Sequence, residues 1–205
     1  MKVICTYTNH PQADAAEALA RYAPETEYCE TVGLYGYCDV IEAHWTGLED
    51  LVVVEGDKVV TAETIPSFAS CDRPFCGCWT PIPNKRYQIG LETFQYNVIM
   101  GIGCNKFTAE LQREVTPDEF LHDDGDIEPP CPFCAGRGCW NYLDIRMTRA
   151  FMAHGVTIHP HGWVDHKHEY PNVTNSAEIT DPKWRAEIEW MDNLAGPAWP
   201  YREAK

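Results

Sequence analysis

Four consecutive branched apolar residues, Leu51-Val52-Val53-Val54, end abruptly in Glu55-Gly56-Asp57, and no other stretch constrains the fold as tightly. An apolar run without polar alternation marks a strand buried in a sheet, and the acidic turn marks its carboxyl end. Val59-Val60 resumes the apolar pattern beyond the turn. Near the amino terminus Lys2 to Thr6 is a second β-branched run, broken by Asn9-His10-Pro11. From Gln12 to Tyr22, residues Ala15, Ala16, Leu19, Ala20 and Tyr22 recur at helical spacing, so the chain opens as strand, loop and helix. Strands followed by helices predict an α/β core.

Further along, Ile65 to Cys71 reads as a short helix, Cys71 to Pro83 as an irregular Cys-, Pro- and Gly-rich stretch, and Tyr96 to Gly101 as a strand. Lys106 to Glu114 reads as a helix, Asp123 to Pro132 as a loop, and Trp140 to Met152 as a helix with Leu143, Met147, Ala150 and Phe151 on one side. Pro182 to Leu194 aligns Trp184, Ile188 and Met191 as a terminal amphipathic helix. No repeat or long linker divides the 205 residues. A single α/β domain over 1–205 is expected, with Cys-rich elements at 71–83 and 131–139.

Asp and Glu number 31 against 16 Lys and Arg, a formal charge of −15. Such a surface repels phosphate polyanions and anionic membranes. The basic clusters, Lys85-Arg86 and Arg146 with Arg149, are too short for the stripe of a protein that reads a duplex. No stretch approaches the roughly 18 apolar residues of a membrane span. Met1 to Tyr7 carries no apolar leader segment, so a reducing, cytoplasmic setting is expected. There, ten cysteines read as core thiols and metal ligands rather than as a disulfide framework.

Three groups of residues point to chemistry. Glu55 and Asp57, one residue apart at the end of a buried strand, aim two carboxylates into the crevice above the sheet, where open α/β folds take ligands. Hard oxygen donors of this kind suit Mg²⁺ or Mn²⁺ bridging a diphosphate. Cys131-Pro132-Phe133-Cys134, with Cys139, and the group Cys71, Cys76 and Cys78 predict a small structural zinc site. Cys71, Cys76, Cys131 and Cys134 are the expected ligands, with Cys78 and Cys139 as substitutes and free thiols or a redox pair as the alternative. Cys5, Cys29, Cys38 and Cys104 read as small core residues. His159, His161, His166 and His168 form two H-x-H pairs, and alternation on an extended segment places each pair on one face, suited to a metal.

On these residues the chain resembles the GT-A type of nucleotide-sugar glycosyltransferase, in particular small members from actinobacteria and their phages. Lys2 to Thr6 with Tyr7 to Pro11 is similar to the nucleotide-binding start of that fold. Glu55-Gly56-Asp57 is similar to its D-x-D motif, whose last Asp holds the metal. Gly101 to Ala109 is similar to the acceptor-side strand and helix, and Trp140 to Asp144 to the tract that supplies a carboxylate. His159 to Gly162 and Val164 to His168 look like the His region that can complete metal coordination.

The resemblance implies a compact, Rossmann-like mixed sheet flanked by helices. It implies donor contacts from Thr6, Tyr7, Thr8, Glu55 and Asp57. A catalytic Mn²⁺ or Mg²⁺ would sit on Asp57 with help from His161, His166 or His168. Asp144 would be the general base that takes the acceptor proton as the anomeric carbon is attacked. The acceptor implied is a hydroxyl of a protein, a glycan or a hydroxymethylated pyrimidine of phage DNA, in a bacterial or phage-infected cytoplasm and without a membrane partner. Two other classes compete: a non-catalytic, zinc-stabilised module that binds protein or nucleic acid, and a metal-dependent hydrolase centred on His161 or His166.

Overall fold

Strand β1 (Lys2–Tyr7) is followed by α1 (Ala13–Tyr22), β2 (Glu27–Glu30), α2 (Gly36–His44) and β3 (Leu51–Glu55). A computed structural model of the chain describes residues 1–33, 35–79, 103–121 and 143–166. Both β2 and β3 pair with β1 in parallel, one on each side. A short β4 (Lys58–Val59) and α3 (Thr64–Ser70) lead to β5 (Phe75–Trp79). Beyond come β6 (Cys104–Phe107), α4 (Ala109–Glu114), α5 (Asp118–Leu121), α6 (Leu143–Ala153), β7 (His159–Trp163) and β8 (Asp165–His166). The main sheet has six strands in the order β2-β1-β3-β6-β5-β7, and β4 pairs with β8 in a separate ribbon. Within the main sheet β6 alone runs against its neighbours. The architecture is therefore α/β with a mixed sheet flanked by helices, as the sequence predicts.

The period of two along β3 explains why helices cover both faces. Leu51 and Val53 join Ile4, Phe75 and Phe107 against α2, α5 and α6, around a cluster of Trp45, Phe120 and Phe151. Val52 and Val54 join Cys5, Cys76 and Cys104 against Leu19 of α1 and Phe68 of α3. The four apolar side chains of β3, Leu51 to Val54, are at most 1% exposed, each contributing about 1.5–3 kcal/mol relative to an exposed position. The Trp45 indole donates to the Val115 carbonyl at 2.7 Å, so its polar atom is satisfied within the apolar cluster.

Two expectations change. The predicted helix over Lys106 to Glu114 begins only at Ala109, after Thr108, whose hydroxyl accepts from the Leu111 N–H at 3.2 Å. Cys104–Phe107 is instead a fully buried strand between β3 and β5. The Cys-rich stretch, expected to be irregular, supplies β5 of the main sheet over residues 75–79. The strand predicted at Tyr96 to Gly101 and the helix at Pro182 to Leu194 lie outside the described residues. Among the described residues no helix is long and apolar enough to cross a membrane.

Candidate active site

The chain leaves β1 toward β2 on one side and returns through α2 to β3 on the other, so the β1/β3 boundary is a topological switch point. At the carboxyl ends of these two strands, the loop after β1 and the turn Glu55-Gly56-Asp57 are tied together. The Gly56 N–H donates to the Thr6 carbonyl at 2.8 Å, and the Gln12 N–H donates to the Gly56 carbonyl at 2.7 Å. A Cβ on Gly56 would lie 2.9 Å from Tyr7 Cβ and 3.2 Å from Pro11 Cα, so glycine is what permits this approach. Thr31, just beyond β2, holds the third side. Its N–H and hydroxyl both donate to the Tyr7 carbonyl, at 2.7 and 3.0 Å. Its hydroxyl also lies 2.9 Å from that of Thr8. Asn9 turns the loop at φ +70°, a left-handed conformation that asparagine tolerates.

The electrostatics of this corner centre on Lys58, a residue that the sequence reading did not single out. Its ammonium is 2.8 Å from Glu55 Oε2 and 2.5 Å from Asp57 Oδ1, and the whole residue is only 4% exposed. Burial alone would lower its pKa, but Glu55 and Asp57 overcome that and raise it above the usual lysine value. Gly103 makes room for the lysine, because a Cβ there would lie 2.6 Å from Lys58 Cε and 3.3 Å from Glu55 Oε2. The Tyr37 phenol is pushed well above its usual range by burial and then by Glu55, with Asp57 and Asp144 adding to the rise and the Thr6 side chain opposing it. Glu55, Asp57 and Asp144 thus act on one phenol. Asp144 stands in the first turn of α6.

The two carboxylates converge on the Lys58 ammonium, and a hard divalent cation would have to use their solvent-facing lone pairs beside it. Lys58 reduces the pair to one net negative charge. Asp57 and Glu55 are 29% and 34% exposed, so the residues fit a weakly held Mg²⁺ or Mn²⁺. The antiparallel β4/β8 ribbon sets His166 opposite Lys58 in register, directly beyond Asp57.

His161, expected to serve the same cation as Asp57, stands apart from it in the sheet. It stands on β7, separated from β3 by β6 and β5, three strand spacings or about 14 Å across the sheet. There it joins Cys71, Cys76 and His159, with one donor atom from each residue and all four within 4.8 Å of one another. Cys71 Sγ lies 3.0 Å from Cys76 Sγ and 3.5 Å from His159 Nδ1, which is 3.2 Å from His161 Nε2. Burial, then Cys71, pushes the Cys76 thiol up to about 12. Burial, then His159 and Lys106, holds the His161 imidazole below its usual value.

Of the expected zinc ligands, Cys71 and Cys76 come together, while Cys131 and Cys134, like Cys139 and His168, lie outside the described residues. Cys78 does not join them. It sits against Cys104, whose thiol it raises well above the usual range by a hydrogen bond, with burial acting the same way. Cys5, Cys29, Cys38 and Cys104 are buried, as expected of core residues. Another group, Glu27, Cys29 and His44, is an ion-pair network in which Glu27 takes Lys2 at 2.9 Å and His44 at 3.2 Å.

No protein-family profile matches the sequence, and no curated protein matches it. Solved structures with some likeness include a glycosyltransferase involved in glycosylation of the major capsid of PBCV-1. That match has a TM-score of 0.46 and 10% identity, over 93% of this chain and 100% of that one. A197 from STIV gives a TM-score of 0.44 and 11% identity, over 84% of this chain and 87% of that one. The 4-diphosphocytidyl-2C-methyl-D-erythritol synthase from Anaerococcus prevotii DSM 20548 gives 0.41 and 9%, over 92% and 96%. Likeness at this level assigns neither a family nor a reaction to the chain.

Proposed function

We propose that the chain transfers a sugar from a nucleotide-sugar donor to an acceptor hydroxyl. The observation that carries this reading is the junction of Glu55-Gly56-Asp57 with the loop after β1 at the switch point of the sheet. In this reading Thr6, Tyr7 and Thr8 line the nucleotide pocket. Asp57, helped by Glu55, holds Mg²⁺ or Mn²⁺, with His166 on the adjoining ribbon. A divalent ion there, when bound, supplies positive charge against the departing diphosphate. Lys58 holds the two carboxylates in place through its ion pairs with both. Asp144 accepts the proton of the acceptor hydroxyl. The charge of −15 favours a protein or glycan hydroxyl over duplex DNA as acceptor.

Thermal unfolding with a panel of nucleoside diphosphates and nucleotide sugars, with and without Mn²⁺, tests the reading on the wild-type chain and Asp57→Ala. A ligand at about 100 times its Kd stabilises by about 2.7 kcal/mol, which for a chain of this size is a rise of about 5–10 °C. The expected result is such a rise for one nucleotide, dependent on Mn²⁺ and absent in Asp57→Ala. No rise with any nucleotide refutes the transferase.

A further inference from the structure

We propose that Cys71, Cys76, His159 and His161 form a closed structural zinc site that fastens β7 to the sheet, independent of any sugar transfer. The arrangement begins with strand register. Cys76 of β5 stands opposite His159 of β7 in a parallel pair, and His161, two residues on, shares the face of His159. Cys71 arrives from the end of α3, whose last carbonyls are gathered by a buried lysine. Lys106 Nζ donates to the Phe68 carbonyl at 3.1 Å and to that of Cys71 at 2.6 Å, with Asp50 Oδ2 3.2 Å away. The Phe68 ring, wholly buried, meets the edge of His161 at 5.5 Å between centroids and fixes its plane.

The distances match one ion. With Zn–S near 2.3 Å and Zn–N near 2.0 Å, a tetrahedron has edges of about 3.3 Å for N···N, about 3.5 Å for S···N and about 3.8 Å for S···S. The observed N···N edge is 3.2 Å, one of the four S···N edges is 3.5 Å, and the other three are within 4.8 Å. The sulfurs, at 3.0 Å, need to part by about 0.8 Å, a change within one rotamer well. Two thiolates and two imidazoles in tetrahedral array select zinc over harder or square-planar ions. Four protein donors leave no open position, which marks a structural rather than a catalytic ion. The two imidazoles set the site apart from a simple dithiol, which has no use for them.

The test is carried out on the full chain in a Cys131→Ser/Cys134→Ser background, so that the other cysteine group contributes no metal. Elemental mass spectrometry is expected to find about one zinc per chain, and zinc X-ray absorption to find two sulfur and two nitrogen neighbours. Adding His159→Gln is expected to remove the zinc. Adding His161→Cys is expected to retain it with a third sulfur neighbour, a readout that survives if the glutamine variant fails to fold. Loss of all zinc in the Cys131→Ser/Cys134→Ser background, an all-sulfur shell, or a metal-free Cys71–Cys76 disulfide in unreduced protein would overturn the proposal.

Discussion

At the scale of the residue, Lys58 governs the candidate active site. A lysine directly after Glu-Gly-Asp reads in sequence as part of a solvated turn, and nothing in its neighbours marks it for burial. Only the fold does, by bringing Gly103 alongside and leaving no room for water at the side chain. The carboxylates were legible because a strand end announces itself in apolar pattern, whereas the burial of the cation between them depends on Gly103, just before β6, some 45 residues away. Lys58→Met removes the ammonium and leaves Glu55 and Asp57 to repel each other. Breaking a fully buried ion pair costs about 3–5 kcal/mol. These carboxylates are roughly a third exposed, so the expected loss at neutral pH is about 1–3 kcal/mol by urea unfolding. Lys58 is raised in the fold by Glu55 and Asp57, so its contribution is present at neutral pH and is lost as pH rises through its folded value; wild type and variant should therefore differ more at pH 7 than at pH 11. An equal difference at both would show that the lysine acts through packing alone.

Elements differ in how openly the sequence displays them. β1, α1, β3 and α6 follow clean periods and were readable with ends shifted by a few residues. β2 is Glu-Tyr-Cys-Glu, with only Cys29 buried, and so shows almost no apolar signal. β6 is Cys-Asn-Lys-Phe, buried throughout although two of its residues are polar, and Lys106 hides it because its charge is met by Asp50 and two carbonyls from elements distant in sequence. The end of α6 shows the same dependence on context. His154 lies 2.8 Å from Glu119 of α5 and 3.5 Å from Glu114 of α4, joining three helices. The hydrogen bond that His154 donates to Glu119 raises the His154 pKa above 6.5. Glu119 is lowered below 4.5, first by the Thr116 N–H and then by His154. A raised histidine contributes stability below its unfolded value that is lost as pH rises through its folded value, and a lowered glutamate contributes above its own unfolded value. The junction is therefore strongest between pH 4.5 and 6.5. Melting curves of wild type and His154→Gln should differ more near pH 6 than at pH 8. Equal differences at both values would mean that the imidazole works without its charge.

Across the whole molecule, the metal cluster and the candidate active site meet through the last two described strands. β7 carries two of the four donors, and β8, two residues further on, pairs with the strand that follows Asp57. The cysteines signalled a metal in sequence, and half of the ligand set was legible. His161, expected beside Asp57, instead stands with His159 near Cys71 and Cys76, because the β5/β7 register that sets His159 opposite Cys76 joins segments some 80 residues apart. An ion at this point closes that loop, a constraint worth about 4–5 kcal/mol in the chain-entropy picture of a cross-link. Without it, β7 rests on pairing with β5, which carries a register shift between Gly77 and Trp79, and on its packing against α3. A chelator that strips zinc should therefore act unevenly. Hydrogen exchange is expected to accelerate over residues 159–166 while amides of Ile4 and Val53, at the centre of the sheet, keep their protection. Exchange that rises equally in β1, β3 and β7 would instead make the ion a requirement of the entire fold. Exchange that does not change at all would separate β7 from the metal altogether.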